Sequence, residues 1–298
     1  MKQQDTTKQP TGLALYQRAA EQSSAEVIAS YSTSFGFATK LLPEPQRTHV
    51  TNIYALVRVA DEIVDGSAED ARLAGGLADP HRILDDLERE IYKSIDNRFS
   101  ANLVVHAFAN TAFVTGFGRT LIRPFFESMR MDLWKKGHDQ KSFEKYVYGS
   151  AEVVGLMCLQ AFLLGTKVSA SEMEKLVVGA QALGAAFQKV NFLRDLAADS
   201  SGLGRSYLPG ISPTGFSEKD KEFWVADIQA DLRKSAESIP LIPKGSRRAV
   251  VAAYLLFEAL NKKISATPAS EIIRRRIRVS NFSKLLIVGK AWMGATPR

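Results

Sequence analysis

A segment of helical length carries four polar side chains on one face of an otherwise apolar surface. Within residues 51–65 these side chains recur at positions i, i+4, i+7 and i+11, as Tyr54, Arg58, Asp61 and Asp65. At 100° per residue the four positions fall within about 60° of one another on a helix. Most of the remaining circumference of the segment is apolar, so the helix is expected to be buried. Ionised carboxylates on a buried helix are costly unless a partner compensates them.

A second segment, residues 184–199, repeats this arrangement at positions i, i+3, i+7 and i+11, with Gln188, Asn191, Asp195 and Asp199. An aspartate pair spaced i, i+4 places two carboxylates roughly 6 Å apart on one face, where they repel each other and attract a cation. One such pair is common by chance among 32 acidic residues, but two pairs with matching polar stripes favour a function.

Two facing aspartate pairs make a site of hard oxygen ligands. Mg²⁺ suits such a site, with Mn²⁺ as the alternative ion, because it takes a few carboxylates and completes its octahedron with water and substrate phosphate. The implied ligand is a diphosphate, held by the metal on one side and by arginines on the other.

The elements that must position these stripes are helices, because apolar residues recur with helical spacing and no alternating pattern persists. The sequence therefore predicts an all-α fold, with one domain over residues 13–298 behind a flexible tail over residues 1–12. Helices are predicted over residues 13–40, 44–65, 81–95, 100–115, 122–135, 141–166, 170–200, 217–237, 244–266 and 269–291.

The net charge of +7 is compatible with three anionic partners: nucleic acid, lipid headgroups or phosphate-bearing substrates. The single cysteine, Cys158, excludes a disulfide within the chain and suits a reducing cytoplasm. No secretory signal is recognisable at the start of the chain, and the longest apolar stretch, residues 153–165, is too short to span a bilayer. We expect a cytoplasmic protein with peripheral contact to an anionic membrane.

Several motifs, in order, resemble the squalene/phytoene synthase family over about residues 24–290. The first lies in residues 32–35, and the two aspartate motifs lie in residues 54–66 and 188–199. Between these two lies a tyrosine-rich segment, residues 146–157. Residues 204–209 and 275–285 complete the match, and the last of these segments is most similar to phytoene synthases. Relatives often carry histidine at Tyr31 and glycine at Glu152.

The resemblance implies a single isoprenoid-synthase helical bundle with a central active-site cavity. It implies that Mg²⁺ is held by Asp61, Asp65, Asp195 and Asp199, with Asn191 as a further ligand. It places Tyr148 and Tyr207 near the reacting carbons. The groups that it implies for diphosphate binding are Ser32, Ser34, Tyr54, Arg58, Gln188, Asn191, Arg194, Arg205, Tyr254 and Arg276.

The activity implied by the resemblance is the Mg²⁺-dependent head-to-head condensation of two geranylgeranyl diphosphates to phytoene, through a cyclopropyl (prephytoene) diphosphate. This reaction belongs to carotenoid biosynthesis, so downstream carotenoid enzymes are the expected protein partners. A squalene or dehydrosqualene synthase that uses farnesyl diphosphate is the alternative, and a catalytically inactive helical scaffold is a more remote one. To hold two C20 chains, the cavity needs small side chains in its wall; the candidates are Gly36, Ala38, Ala185 and Ala186.

Other classes fit the residues less well. The second motif of class I terpene cyclases is an Asn/Asp, Ser/Thr, Glu ligand set, which residues 191–199 do not match. Chain-elongating prenyl synthases carry doubled aspartates, which both motifs lack. A nucleic-acid binder would need a basic patch with interleaved aromatic residues. The arginine run at residues 274–278 is interpreted instead as a solvated or membrane-facing helix end, and no nucleic-acid partner is predicted. Glu62 lies off the polar stripe and is expected on the helix surface.

Overall fold

The computed structural model describes residues 11–32, 35–198, 206–211, 215–292, 294 and 297. Over these residues every regular element is a helix, and the one isolated β-bridge joins Gly137 to Ser206. The prediction of an all-α fold is confirmed, whereas the division into a tail and one domain stays a prediction. In chain order the α-helices are α1 (Leu13–Tyr31), α2 (Phe35–Thr39), α3 (Gln46–Val64), α4 (Ser67–Leu73), α5 (Pro80–Asn97), α6 (Leu103–Thr115), α7 (Arg119–Asp132), α8 (Gln140–Val147), α9 (Val153–Leu163), α10 (Ala170–Ala198), α11 (Glu218–Ala236), α12 (Lys244–Ser265), α13 (Ala269–Ile272) and α14 (Asn281–Trp292).

Local sequence sets several helix ends. Asp79 caps α5 by accepting hydrogen bonds from the His81 and Arg82 amides, and Pro80 fills the first helical position. Reciprocal capping boxes start α8 at Asp139 and α11 at Ser217. In each box the cap side chain and the side chain three residues later satisfy amides that the helix leaves unpaired.

Two predicted helices are broken in the structure. The helix predicted over residues 13–40 ends at Tyr31, because Ser32 is extended and its hydroxyl accepts a hydrogen bond from the Gly36 amide at 3.0 Å, which starts α2. The helix predicted over residues 269–291 is divided into α13 and α14. Between them the Ile277 amide bonds to the Arg194 carbonyl on α10 at 3.4 Å instead of continuing a helix.

Two further differences lie within predicted segments. The predicted loop at residues 66–80 contains the short helix α4. The helix predicted over residues 141–166 is interrupted by a π-helical turn, Tyr148–Glu152, between α8 and α9. Such turns often occur at functional sites because they re-aim the side chains that they carry.

Helix α9 lies between two hydrophobic clusters. Val153 and Met157 pack into one cluster with α3, α5, α6 and α7, whereas Leu156 and Leu159 pack into the other with α8, α10, α11 and α12. The first cluster buries the apolar side of α3, and the second buries the apolar side of α10. Helix α9 therefore separates α3, which carries the first aspartate motif, from α10, which carries the second.

Two glycines allow α9 and α10 to approach closely. A Cβ atom added at Gly155 would lie 2.6 Å from the Ala180 carbonyl oxygen, and one added at Gly184 would lie 2.6 Å from the Ala151 carbonyl oxygen. Because backbone atoms cannot move away as a flexible side chain can, these positions exclude larger residues. The close approach places the π-helical turn directly against the helix of the second motif.

Two helical stretches, Gln140–Leu163 and Ala170–Ala197, are long and apolar enough to cross a membrane by length and composition alone. Half of each apolar window is buried inside the protein. Core helices of soluble proteins pass the same test, so this observation is weak evidence for a membrane span.

Candidate active site

Arg58 lies at the centre of the α3 stripe. Its guanidinium group lies 4.0 Å from the Asp61 carboxylate, and it also forms a short ion pair with Glu62. The guanidinium carbon lies 4.6 Å from the centre of the Tyr31 ring, at cation–π distance. Glu62, expected on the surface, is only 23% exposed and bonds to Arg58 and Ser67. Its role in fixing Arg58 was not predicted from the sequence.

Ser32 and Tyr54 join this cluster from the start of α2 and the middle of α3. Their side chains share a hydrogen bond, and burial is the largest cause that raises the pKa of the Tyr54 phenol. The break after α1 therefore places the Ser32 hydroxyl beside the polar stripe, as the resemblance implies. The third predicted group of this region, Ser34, lies outside the described residues.

Asp61 is an unfavourable place for negative charge in the ligand-free protein. Its pKa is raised to about 8, chiefly by the loss of surrounding water and then by the carboxylates of Asp65 and Asp132, against the opposing effect of Arg58. The Asp61 side chain nevertheless remains 31% exposed. A group that keeps access to solvent but resists ionisation is a position where a bound cation would be favourable.

Asp132, at the end of α7, is a site residue that was not predicted from the sequence. It is 6% exposed, and its carboxylate accepts hydrogen bonds from the Tyr146 hydroxyl at 2.8 Å and from the Tyr207 hydroxyl at 3.1 Å. A signal was present, because Asp132 continues the buried stripe of α7 that includes Phe125 and Met129. It is an acidic residue on an apolar helix face, the same criterion that identified the two stripes.

Tyr207 connects Asp132 to α10. Its ring stacks on Phe192 at 4.5 Å and 10°, and its backbone neighbour Ser206 bonds to the Lys136 carbonyl at 2.8 Å. The pKa of the adjacent Tyr146 phenol is raised well above its ordinary value, mainly by burial and then by the Asp132 carboxylate; Asp61 also contributes. Asp132 and its two tyrosines therefore lie between the first stripe and α10.

On α10, Asp195 is held by two arginines. Arg194 donates to its carboxylate at 3.0 and 2.6 Å, and Arg276, which precedes α14, lies 2.6 Å from it. The Asp195 side chain is 20% exposed. The structure thus brings Arg194, Asp195 and Arg276 together, although Arg276 lies 81 positions after Asp195. The resemblance assigns the two arginines to diphosphate binding and the aspartate to Mg²⁺. Arg276 reaches the site from the segment that interrupts the predicted last helix.

Asn191 and Gln188 complete the described part of the second stripe. The Asn191 Oδ1 atom is buried and has no hydrogen-bond partner, so it is available to a ligand that the protein itself does not supply. Gln188 lies in the wall of the large cavity described below. Two predicted residues, Asp199 and Arg205, lie outside the described residues.

The donor set is compatible with Mg²⁺. The two stripes offer carboxylates and the free amide oxygen of Asn191, which are ligands that Mg²⁺ prefers. In the described part of the chain no three acidic, histidine or cysteine side chains converge closely enough to form a metal centre by themselves. The predicted fourth aspartate is not among those residues, and the Asp195 carboxylate faces arginines.

An apolar cavity, part of it open to solvent, includes Gln188 of the second stripe in its wall. Its wall is formed by α2, α3, α9, α10 and α12, the π-helical turn and the 3₁₀ turn Ile239–Leu241. Of the four small residues proposed for the wall, Ala38 lies in it, whereas Ala185 and Ala186 belong to the buried core.

Ser150 and Cys158 also line the cavity. The Ser150 hydroxyl, on the π-helical turn, is buried without a hydrogen-bond partner. Burial raises the pKa of the Cys158 thiol to about 12, so the only cysteine of the chain is an unreactive wall residue. Ser150 and Gln188 are thus two of the few polar side chains in a wall that is largely apolar.

Two further predicted residues are tyrosines on the π-helical turn and on α12. Tyr148 starts the π-helical turn and packs against the α3 cluster. Tyr254 is completely buried in the α10–α12 cluster, and its hydroxyl has no hydrogen-bond partner. Burial is the largest cause that raises its pKa, and the nearby charges that affect it are those of Glu258 and Arg233. Diphosphate binding by Tyr254 stays a prediction.

Comparison with known proteins identifies the family of this chain. Residues 28–212 match the squalene/phytoene synthase family. Phytoene synthase 3 of Zea mays is 29% identical over 93% of this chain and 66% of its own length; phytoene synthase 2 of Solanum lycopersicum is 28% identical over 90% and 88%. Both names include the word chloroplastic.

Solved structures show the same fold. A dehydrosqualene synthase in complex with a ligand has a TM-score of 0.75 and 22% identity, with 94% of this chain and 97% of that chain covered. The squalene synthase HpnC of Alicyclobacillus acidocaldarius has a TM-score of 0.71 and 19% identity over 85% and 97%.

Proposed function

This chain belongs to the squalene/phytoene synthase family and is a prenyltransferase, and from that premise we propose that it condenses two geranylgeranyl diphosphates to phytoene. The observation that carries the proposal is an apolar cavity that has Gln188, the first residue of the α10 polar stripe, in its wall. An apolar chamber that reaches a polar stripe suits an isoprenoid diphosphate, which has a hydrocarbon tail and a charged head.

We propose that Mg²⁺ is held by Asp61, Asp65, Asn191, Asp195 and Asp199. The orphaned Asn191 Oδ1 atom and the raised pKa of Asp61 support this assignment from the described residues. Bound there, Mg²⁺ would supply Lewis-acid chemistry that draws negative charge from a diphosphate leaving group.

Arginines supply the second part of the diphosphate site. Arg58, Arg194 and Arg276 carry planar guanidinium groups, which form paired hydrogen bonds to phosphate oxygens. In the ligand-free protein these groups are paired with Asp61, Glu62 and Asp195. When a diphosphate binds, exchange of these partners leaves the carboxylates free for a cation and stabilises the departing anion.

The reaction then proceeds inside the apolar chamber. The first substrate loses diphosphate and leaves an allylic cation, which the double bond of the second substrate attacks. Loss of a proton closes a cyclopropyl diphosphate; loss of the second diphosphate, rearrangement and loss of another proton give the C40 hydrocarbon. The apolar walls exclude water, which would otherwise quench each cation.

The buried tyrosines complete this arrangement. Asp132 accepts hydrogen bonds from Tyr146 and Tyr207 and so fixes both rings between the first stripe and α10. An oriented phenol oxygen and an aromatic face stabilise a nearby cation electrostatically. We propose that Tyr207, with Tyr148 from the π-helical turn, faces the reacting carbons.

Phytoene is favoured over squalene or dehydrosqualene by the curated relatives, since those at 28–29% identity are phytoene synthases. The solved dehydrosqualene and squalene synthases are below 25% identity, so their likeness concerns the fold alone. In this role the protein acts in carotenoid biosynthesis, and we propose the enzymes that consume the C40 hydrocarbon as its functional partners.

A competition assay tests the substrate assignment. Purified protein is given equal amounts of farnesyl and geranylgeranyl diphosphate with Mg²⁺, and the hydrocarbons are separated by length. A predominant C40 product is expected, whereas a predominant C30 product would support the farnesyl alternative. If neither product forms, the inactive scaffold becomes the better interpretation.

A further inference from the structure

The positive charge of this protein is concentrated in its last two long helices and the segment between them. Residues 244–292 contain eleven lysines and arginines but two acidic residues, a net charge of +9, against +7 for the whole chain. The remaining residues therefore sum to −2. A charge so unevenly distributed indicates one surface for an anionic partner, beyond the arginines of the active site.

Helices α12 and α14 lie antiparallel and form one face. At one end, the Arg248 guanidinium carbon lies 5.2 Å from the centre of the Trp292 ring. At the other end, the Lys263 ammonium group donates to the Arg278 carbonyl at 2.5 Å. We call this surface the α12–α14 face, and its exposed residues are Arg248, Lys263, Arg274, Arg278, Leu286, Lys290 and Trp292.

Most of the basic residues on this face are not neutralised by the protein. Over the described residues no carboxylate lies within ion-pair distance of Arg248, Arg274, Arg278 or Lys290. By contrast, two neighbouring cations are neutralised: Arg275 pairs with Glu271 at 2.5 Å, and Lys262 pairs with Glu258 at 3.0 Å. The unpaired cations are therefore available to an external anion.

Exposed apolar groups accompany these cations. The inner side of α14 packs on the core through Ile287 and Ala291, whereas Leu286 is 51% exposed and Trp292 is 64% exposed. A tryptophan beside arginines is typical of residues that lie at the level of lipid headgroups. Duplex nucleic acid would bind the cations but would leave these apolar side chains in water.

From the charge and the apolar groups we infer that the α12–α14 face docks on an anionic lipid surface. The face is continuous with the active site, because Arg276, which contacts Asp195, lies between the exposed Arg274 and Arg278. Docking therefore holds the polar end of the site near the layer in which an isoprenoid diphosphate dissolves. Only the statement about the isoprenoid diphosphate rests on the proposed function, since vesicle binding needs no substrate.

Flotation with phosphatidylcholine vesicles, with and without phosphatidylglycerol, tests this inference in the absence of substrate and Mg²⁺. The test variant is Arg274→Ser/Arg278→Ser, and the matched control is Arg82→Ser/Arg123→Ser, which removes the same charge from exposed positions on α5 and α7. Circular dichroism checks that both variants are folded.

Wild-type protein is expected to bind the anionic vesicles and to lose affinity as salt increases. A basic residue near an anionic membrane contributes about fivefold in affinity, so the test variant should bind about 25-fold more weakly while the control is unchanged. Trp292→Ala should weaken binding at high salt as well as at low salt.

Three results would overturn the inference. The protein does not bind anionic vesicles, the test and control variants lose vesicle affinity equally, or duplex DNA binds the protein as tightly as the vesicles do and displaces it from them. Because these measurements contain no substrate, vesicle binding without C40 synthesis would refute the proposed function and leave the docking face intact. C40 synthesis in detergent without vesicle binding would refute the docking face and leave the proposed function intact.

Discussion

Arg276 and Asp195 form an ion pair of 2.6 Å that joins the segment before α14 to the second aspartate motif on α10. Arg194 pairs with the same carboxylate at 2.6 Å. In the ligand-free protein, two arginines thus occupy a carboxylate that the proposed function assigns to Mg²⁺. The pairing keeps the guanidinium groups directed at the diphosphate position until a substrate replaces Asp195 as their partner.

Arg276→Ala should therefore raise the KM for geranylgeranyl diphosphate. Hydrogen bonds to charged groups contribute about 1.5–3 kcal/mol, which corresponds to roughly 10- to 150-fold in KM. Arg276→Lys should recover part of the loss, because lysine retains the charge but not the planar fork. Steady-state kinetics with saturating Mg²⁺ measure both variants. An unchanged KM in Arg276→Ala would show that this arginine only neutralises Asp195.

Asp61→Asn should stabilise the metal-free protein at neutral pH while abolishing turnover. The pKa of Asp61 rises from 3.8 to about 8 on folding, so its contribution is fully present below pH about 4 and is lost as the pH rises towards 8. Because the side chain is 31% exposed, solvent screening reduces the effect to about 1–2 kcal/mol at pH 8.

Urea denaturation at pH 5 and pH 8, with EDTA present, measures this difference. Wild type should lose stability relative to Asp61→Asn between the two pH values, and adding Mg²⁺ should reverse the order at pH 8. Identical pH profiles for the two proteins would show that the Asp61 carboxylate is not in a charge-repelling position.

Asp132→Asn should reduce kcat, because the amide offers one oxygen where the carboxylate accepts hydrogen bonds from both Tyr146 and Tyr207. A decrease of about 10- to 100-fold is expected. A double-mutant cycle with Tyr207→Phe should be strongly non-additive, since both changes remove the same hydrogen bond. Independent effects that simply add would contradict a shared role.

Part of this site was predictable from sequence and part was not. The stripes on α3 and α10 were predictable, because helical spacing alone places their polar residues on one face. For Asp132 the only signal was its register with the apolar stripe of α7. The contact between Arg276 and Asp195 had no signal, because Arg276 reaches the site through a tertiary contact. Asp132 is a single acidic residue at a helix end, and Arg276 lies in a segment whose arginine run looked like a continuous helix.

The cavity shows the same limit. The resemblance indicated that small residues line the cavity, but the rotation of each helix about its axis decides which of them face the cavity. Ala38 lines the cavity, whereas Ala185 and Ala186 pack into the core beside it. The close approach at Gly155 and Gly184, which sets the width of the chamber, depends on the backbones of two helices and has no local signature.

Ala38→Phe should therefore exclude C20 substrates before C15 substrates, since the added ring fills space that only the longer tail needs. The ratio of kcat/KM for farnesyl over geranylgeranyl diphosphate is expected to rise about tenfold or more, and Ala38→Val should fall between the two. Equal losses with both substrates would indicate a folding defect or a different orientation of the tails.

The most direct test of the proposed function is the product formed from geranylgeranyl diphosphate alone, with Mg²⁺ and without NADPH. The wild-type protein should release two diphosphates for each C40 hydrocarbon with a central conjugated triene, and excess EDTA or the Asp61→Asn substitution should abolish both products while the helical circular dichroism remains. Absence of the C40 hydrocarbon, with dehydrosqualene formed in a parallel assay with farnesyl diphosphate or squalene formed there once NADPH is added, would contradict the proposed function.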